Sequence, residues 1–259
     1  MPSILYNIEA YPSIRKEEMA ELESIQGKVL NGLLEVPQST PYMGILMETG
    51  IWTMEAKYDY KKLMLYHRIV NSDKHRIMKK MLDEQTKWGR RGTWYDSINK
   101  IMYKYNIKDN TREALKSEWK KMVKAHIKQK TEEIIRESCK NMSKCRTICN
   151  EEYSMKDYMK ECTSNDAIHI LRMRLHMVKL PCNYKNNKWN ERCRVCGEIT
   201  GIKTEHYFVC SGAVYIRKRW NITLNSLRSN DIDELKRASQ YIQAIEKLED
   251  MEKTKNKKI

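Results

Sequence analysis

The residues with the clearest chemistry lie near the C-terminus, in the run CRVCGEITGIKTEHYFVC. Cys193 and Cys196 are separated by two residues, nine more precede His206, and three precede Cys210. A C-x2-C turn sets two thiolates on one edge of a tetrahedron, and Gly197 relaxes the backbone just after it. On a helix His206 and Cys210 stand at i and i+4, so one turn aims both at the same point, and Thr204 is placed to cap that turn. Three thiolates and an imidazole with no spare position describe a closed, structural site for one Zn2+. The alternative is a set of ordinary buried thiols beside a surface histidine. Cys182 is the rival ligand, farther off and beyond Trp189. Cys139, Cys145, Cys149 and Cys162 lack such spacing and read as reduced, partly buried thiols with no assigned role.

Basic and aromatic residues surround the cluster. Arg192 and Arg194 interleave with the first ligands, and Arg217, Lys218 and Arg219 follow the last. Trp189, Tyr207, Tyr215 and Trp220 offer aromatic surface nearby. Cations neutralise a phosphate backbone and aromatics stack on bases, so the pattern suits single-stranded RNA or DNA. A second basic element lies upstream, where Lys116, Lys120, Lys124 and Lys128 recur at i+4 steps on one helical stripe. A third is the pair Arg172 and Arg174. The competing view of each is a solvated helix face. The whole chain carries 49 Lys+Arg against 34 Asp+Glu, a net charge of +15, which points to polyanionic partners.

Several chemistries are missing from the sequence. No adjacent Asp-Asp pair occurs, so the two-metal carboxylate motif of a polymerase palm is absent. Phosphate-cradling glycine loops, nucleophile elbows and H-E-x-x-H are also absent. His67, His75, His126, His169 and His176 form no catalytic grouping in sequence. The expectation is a chain with no chemistry of its own, with a site assembled from distant positions as the remaining enzymatic reading.

The elements that must position these residues are helices. Among 259 residues Gly (9) and Pro (5) are scarce, which disfavours turn-dense β architectures. Ser13 is placed to cap a first helix with Met19, Leu22, Ile25, Val29, Leu30, Leu33 and Leu34 on its apolar face, ended by Pro37. Thr40-Pro41 opens a short second helix closed by Gly50. Thr53 caps a third to about Asn71, and Ser72 caps a fourth through Ile77, Met78, Met81 and Leu82. The basic loop 89–93 marks a candidate boundary. One long helix, or two with a kink, follows from Thr111 to about Lys140, with Leu115, Trp119, Met122 and His126 on one face. Short helices and a linker fill 141–165. A helix runs from about Ser164 to Val178, stopped by Pro181, and an amphipathic helix from about Asp231 to Met251 carries Leu235, Ala238, Ile242, Ile245 and Leu248. The predicted fold is mainly α, a multi-helix, bundle-like arrangement with a small C-terminal CCHC zinc knuckle. Its expected segments are 1–90, 91–180, 181–222 and 223–259. No run is long and apolar enough for a membrane span, and no signal peptide is visible, so an intracellular site with reduced thiols is expected.

The chain carries, in order, the blocks LYNIEA, LESIQGKVLNGLL, VPQSTPYMGILMETGIW with KKLMLYHRIV, RMRLHMVKL, and the knuckle from Cys193 to Cys210. Together they resemble the region C-terminal to the polymerase in LINE-type, non-long-terminal-repeat retrotransposon proteins. The resemblance implies a thumb-like helix at Glu17 to Leu34, a template-RNA-binding extension, and knuckle ligands Cys193, Cys196, His206 and Cys210. It further implies nucleic-acid handling in target-primed reverse transcription, a polymerase core as possible partner, and a nuclear or cytoplasmic ribonucleoprotein. The palm is absent and Met1 falls about where a thumb begins, so what is expected is a fragment without polymerase activity. The alternative is a zinc-stapled protein-interaction module without nucleic-acid contact.

Overall fold

The computed structural model describes residues 6–108, 114–178, 193, 195–198 and 204–256, with backbone only for Leu227 and for 248–256. It is mainly helical, and among the described residues the only β pairing is an isolated bridge between Thr49 and Met155. The helices are α1 (Lys16–Leu33), α2 (Tyr42–Thr49), α3 (Met54–Val70), α4 (Ile77–Trp88), α5 (Trp94–Lys104), α6 (Lys116–Lys140), α7 (Asp157–Glu161), α8 (Ser164–Arg174), α9 (Thr204–Val209), α10 (Val214–Trp220) and α11 (Ile232–Asn256). None among the described residues is long and apolar enough to cross a membrane. The chain divides into two compact units, Met1–Gly27 with Trp52–Ile134, and Lys28–Ile51 with Ile135–Ile259. The loop 89–93 lies inside the first unit, joining α4 to α5, and residues 223–259 lie inside the second.

The first unit is built around α3, whose buried face meets α5 and the early turns of α6. Leu63, Tyr66 and Ile69 from α3, Ile98, Ile101 and Met102 from α5, and Trp119, Val123 and Ile127 from α6 form one apolar cluster. The burial of such aliphatic and aromatic side chains is what stabilises it, at about 1.5–3 kcal/mol for each fully buried one. Trp119 is fully buried, donates its indole N–H to the Leu63 carbonyl at 3.3 Å, and stacks on His67 at 5.2 Å. The core face of α6 is therefore Trp119, Val123 and Ile127, whereas Leu115 is 69% exposed. Lys62, also without solvent exposure, donates from Nζ to the carbonyls of Tyr11 (2.8 Å) and Pro12 (2.6 Å) and to the Tyr58 hydroxyl (2.8 Å). It thereby ties the N-terminal segment to α3.

The second unit packs α8 against α11 and buries α2 from Gly44 to Thr49. Leu235, Ala238, Ile242 and Ile245 of α11 are buried as their spacing predicted. Asp231 caps α11, accepting from the amides of Asp233 (2.8 Å) and Glu234 (3.3 Å).

Three expected caps are corrected. Helix α1 begins at Lys16, beyond Ser13, and it is the Glu18 carboxylate that holds the Arg15 amide at 3.0 Å. The Thr40 hydroxyl donates to the Pro37 carbonyl at 2.6 Å, closing the preceding turn, so Pro41 is the N-cap residue of α2. The Ser72 hydroxyl likewise serves the end of α3, donating to Ile69 at 2.7 Å, and α4 starts only at Ile77. For Thr40 and Ser72, a side chain spent on its own turn cannot open the next helix. Thr53 and Gly50 act as expected: Thr53 accepts from the Ala56 amide, and Gly50 takes a left-handed φ of 64°. Helix α8 ends at Arg174, not Val178, because His176 adopts φ 54° and the Met177 amide turns back to the Arg172 carbonyl at 2.6 Å. The predicted start at Thr111 and the stop at Pro181 lie outside the described residues.

Candidate metal centre

Each ligand of the expected cluster is held by a local device. The C-x2-C turn closes with the Gly197 amide donating to the Cys193 carbonyl and the Cys193 amide to the Glu198 carbonyl, both at 2.8 Å. Gly197 sits at φ 75°, a conformation that L side chains disfavour. The amides of Val195 and Cys196 donate to the Cys193 sulfur, and the Gly212 amide to the Cys210 sulfur. His206 rides on α9 and Cys210 follows its last residue. Thr204 is the first residue of α9 itself, not the residue before it.

The four ligand atoms lie within 4.8 Å of one another, and together they could hold one metal ion. The Cys193 and Cys210 sulfurs are 3.8 Å apart, and the Cys196 sulfur is 3.4 Å from His206 Nε2. Cys193, His206 and Cys210 are buried, whereas Cys196 is half-buried. Burial pushes the Cys193 thiol up, and burial with the crowding sulfurs pushes Cys210 up to about 12. A divalent cation reverses that balance, since it favours the thiolates that their own neighbours oppose.

The module is anchored from below. Tyr207 and Phe208 of α9 are buried; the Tyr241 hydroxyl of α11 donates to the Tyr207 carbonyl at 2.5 Å, and its ring lies 5.9 Å from Phe208. Tyr207 is therefore core, not the exposed stacking surface expected of it. Gly212 is a supporting residue that motif spacing does not reveal. A Cβ there would lie 2.4 Å from the Val195 carbonyl oxygen, so the chain after Cys210 packs directly on the C-x2-C turn.

The basic residues separate into two groups. Arg217 donates to the Cys210 carbonyl at 2.9 Å and so braces the cluster. Lys218 and Arg219 are exposed, Tyr215 is 80% exposed and Trp220 is half-buried. Lys116, Lys120, Lys124 and Lys128 are all exposed on α6. Arg172 is half-buried, and its guanidinium reaches the Glu35 carbonyl. Arg174 is corrected outright. It is 1% exposed and its guanidinium grips the fully buried Glu48 carboxylate at 2.8 and 3.1 Å, with Glu151 at 2.5 Å. Tyr158 donates to the same Glu48 carboxylate at 2.7 Å. Burial works against the Arg174 charge, but the two carboxylates overcome it and hold the guanidinium above its ordinary range. It therefore binds α8 to α2 and offers nothing to a phosphate. Arg192, Arg194, Cys182 and Trp189 lie outside the described residues.

Among the described residues, none of the other cysteines joins the candidate metal-binding group. Cys139 and Cys145 are buried beside each other and share a hydrogen bond, while Cys149 and Cys162 are half-buried. Comparison of the chain with protein-family models, with curated proteins and with solved structures gave no match.

Proposed function

We propose that this chain is a nucleic-acid-binding module in which a structural zinc ion fixes a small C-terminal knuckle. A tetrahedral zinc with Zn–S of about 2.3 Å and Zn–N of about 2.0–2.1 Å has S···S edges of about 3.8 Å and S···N edges of about 3.5 Å. The separations of 3.8 and 3.4 Å fit those edges. Three thiolates and one imidazole also favour zinc over the harder divalent ions.

The observation that carries the binding reading is the exposed face of α10. Tyr215, Lys218 and Arg219 stand at i, i+3 and i+4 on one side of a single short helix. An exposed ring with two neighbouring cations has no packing role and matches what a single strand needs, a base to stack and phosphates to neutralise. The bracing Arg217 on the same helix connects that face to the metal ligands. The exposed α6 lysines and the net charge of +15 add sequence-independent attraction. The resemblance to the post-polymerase region of LINE-type proteins points the same way, with RNA handling beside a polymerase as the parent role.

Two measurements test this reading. Purified wild-type protein is expected to carry about one zinc per chain, and the Cys193→Ser/Cys196→Ser variant none; equal metal in both refutes the site. In fluorescence anisotropy on a single-stranded oligonucleotide, Tyr215→Ala is expected to weaken binding by about 1–3 kcal/mol, one stacked base. An unchanged affinity removes α10 from the interface.

A further inference from the structure

The first unit contains a cavity of about 450 Å3 that the zinc knuckle does not explain. Its wall is the C-terminal half of α3, which contributes Tyr60, Lys61, Met64 and Arg68, with Asn71 just beyond the helix. Lys61 and Arg68 are seven residues apart, close to two full turns, so they stand on one face about 10 Å apart. Lys116, the first residue of α6, lines the cavity with them, as does Glu9 from the 3-10 turn Ile8–Ala10. The lining therefore holds three cations and one carboxylate. Arg68 and Lys116 are exposed and make no ion pair among the described residues. His67 is committed elsewhere, its Nε2 2.8 Å from the Ala114 carbonyl and its ring stacked on Trp119.

We infer that this cavity seats one phosphate of a bound single-stranded nucleic acid, and that the strand continues along the exposed lysines of α6. The inference rests on the nucleic-acid-binding reading above. Two features select phosphate over other anions. A phosphate presents oxygens in three dimensions, so it can meet cations arriving from α3 and α6 together, whereas a carboxylate offers two oxygens in one plane. The cavity is also continuous with a cationic track, because Lys116 is itself the first of Lys116, Lys120, Lys124 and Lys128, spaced about 6 Å apart along the helix axis. Tyr60 in the wall supplies an aromatic edge beside the phosphate position. Its ring is already held by Trp52, edge-on at 5.6 Å, so it forms a fixed wall.

The test is anisotropy with a fluorescein-labelled 20-nucleotide uridine strand over a series of salt concentrations. Arg68→Ala/Lys116→Ala is compared with Lys74→Ala/Lys80→Ala, a pair of exposed residues in the same unit with the same change in net charge. The cavity pair is expected to weaken binding about tenfold or more and to lower the salt slope by about 0.7, as for one phosphate on a single strand. The control pair is expected to change affinity by less than about threefold. Thermal melts of both variants check the fold, and side chains this exposed should leave it intact. Equal losses in the two pairs overturn the cavity while leaving a diffuse electrostatic binder. Displacement of the strand by an equally charged oligo-glutamate at the same concentration as by unlabelled RNA overturns the choice of phosphate. A wild-type protein that does not bind the strand at all overturns both this inference and the reading beneath it.

Discussion

Lys62 allows a prediction whose sign and size follow from one environment. Its ammonium is fully buried, its direct partners are neutral, and burial lowers its pKa from 10.5 to about 8. The ring faces of Tyr58 and Trp94, 5.1 and 5.9 Å from Nζ, offset only part of the lost hydration. Asp59 acts on it from a distance and is itself pushed up by burial, toward its neutral form. In the unfolded chain the lysine keeps its proton to a higher pH than in the folded one. Between about pH 8 and 10.5 the unfolded state therefore binds more protons, and stability must rise with pH in that window. A shift of this size corresponds to roughly 3 kcal/mol between the two ends of the window. The perturbation is Lys62→Met, which keeps the apolar stem and removes the titrating group. Denaturant unfolding at pH 7.5, 9 and 10.5 under reducing conditions gives two stability curves. Their difference isolates Lys62 from the other lysines and tyrosines that titrate in common. The wild type is expected to gain on the variant steadily with pH, by up to roughly 3 kcal/mol. The absolute effect at pH 7.5 combines relief of a buried charge with loss of donors to Tyr11 and Pro12, so only the slope carries the argument. A difference that is flat with pH, or that falls, refutes the burial of a protonated amine at this position.

Three further outcomes are expected. Gly212→Ala should lower zinc affinity about 10- to 100-fold in a chelator competition, because its Cβ would meet the Val195 carbonyl at 2.4 Å and displace the amide that supports Cys210; unchanged affinity would show that the C-x2-C turn does not depend on this contact. Zinc affinity should fall as pH falls, because Cys193 and Cys210 are pushed up in the metal-free chain and must release protons to bind; a pH-independent affinity between pH 6 and 8 contradicts thiolate ligation. Glu48→Gln should destabilise the second unit by about 3–5 kcal/mol, since it leaves the buried Arg174 guanidinium with Glu151 alone; addition of Arg174→Met should recover much of that loss, and simple additivity of the two would refute the coupling.

The sequence is legible where its signal is local. Cys193, Cys196, His206 and Cys210 are fixed by spacing within eighteen residues, and they converge because a tight turn and one helical turn have few geometries. The amphipathic period of α11 marks Leu235, Ala238, Ile242 and Ile245 as core without reference to anything distant. Hydroxyl caps are less legible, because Thr40 and Ser72 can serve either the turn behind or the helix ahead, and only the backbone decides. The α6 face is legible in part: Trp119 is core as expected and Met122 packs half-buried against the same cluster. Leu115 precedes the helix and escapes burial, while Val123 and Ile127 complete the stripe that Trp119 begins.

Charge is the least legible quantity, since a cation's role depends on what lies across space from it. Arg172 and Arg174 are two residues apart and look alike in sequence, yet one reaches a backbone carbonyl and the other a buried carboxylate 126 residues away. Lys61 and Lys62 are adjacent in sequence, yet Lys61 lines the cavity of the first unit and Lys62 is fully buried. Arg217 braces a ligand, while Lys218 and Arg219 on the same turn face solvent. The net +15 thus overstates what a polyanion meets as individual cations, because Lys62, Arg174 and Arg217 are consumed by the fold. Those that remain exposed are spread along the chain, with Lys74, Lys80 and Lys87 as open to solvent as the lysines of α6 and the Lys218–Arg219 pair of α10. If the proposed single strand follows the α6 lysines, its salt dependence should fall when those lysines are removed and stay unchanged when Lys74 and Lys80 are removed.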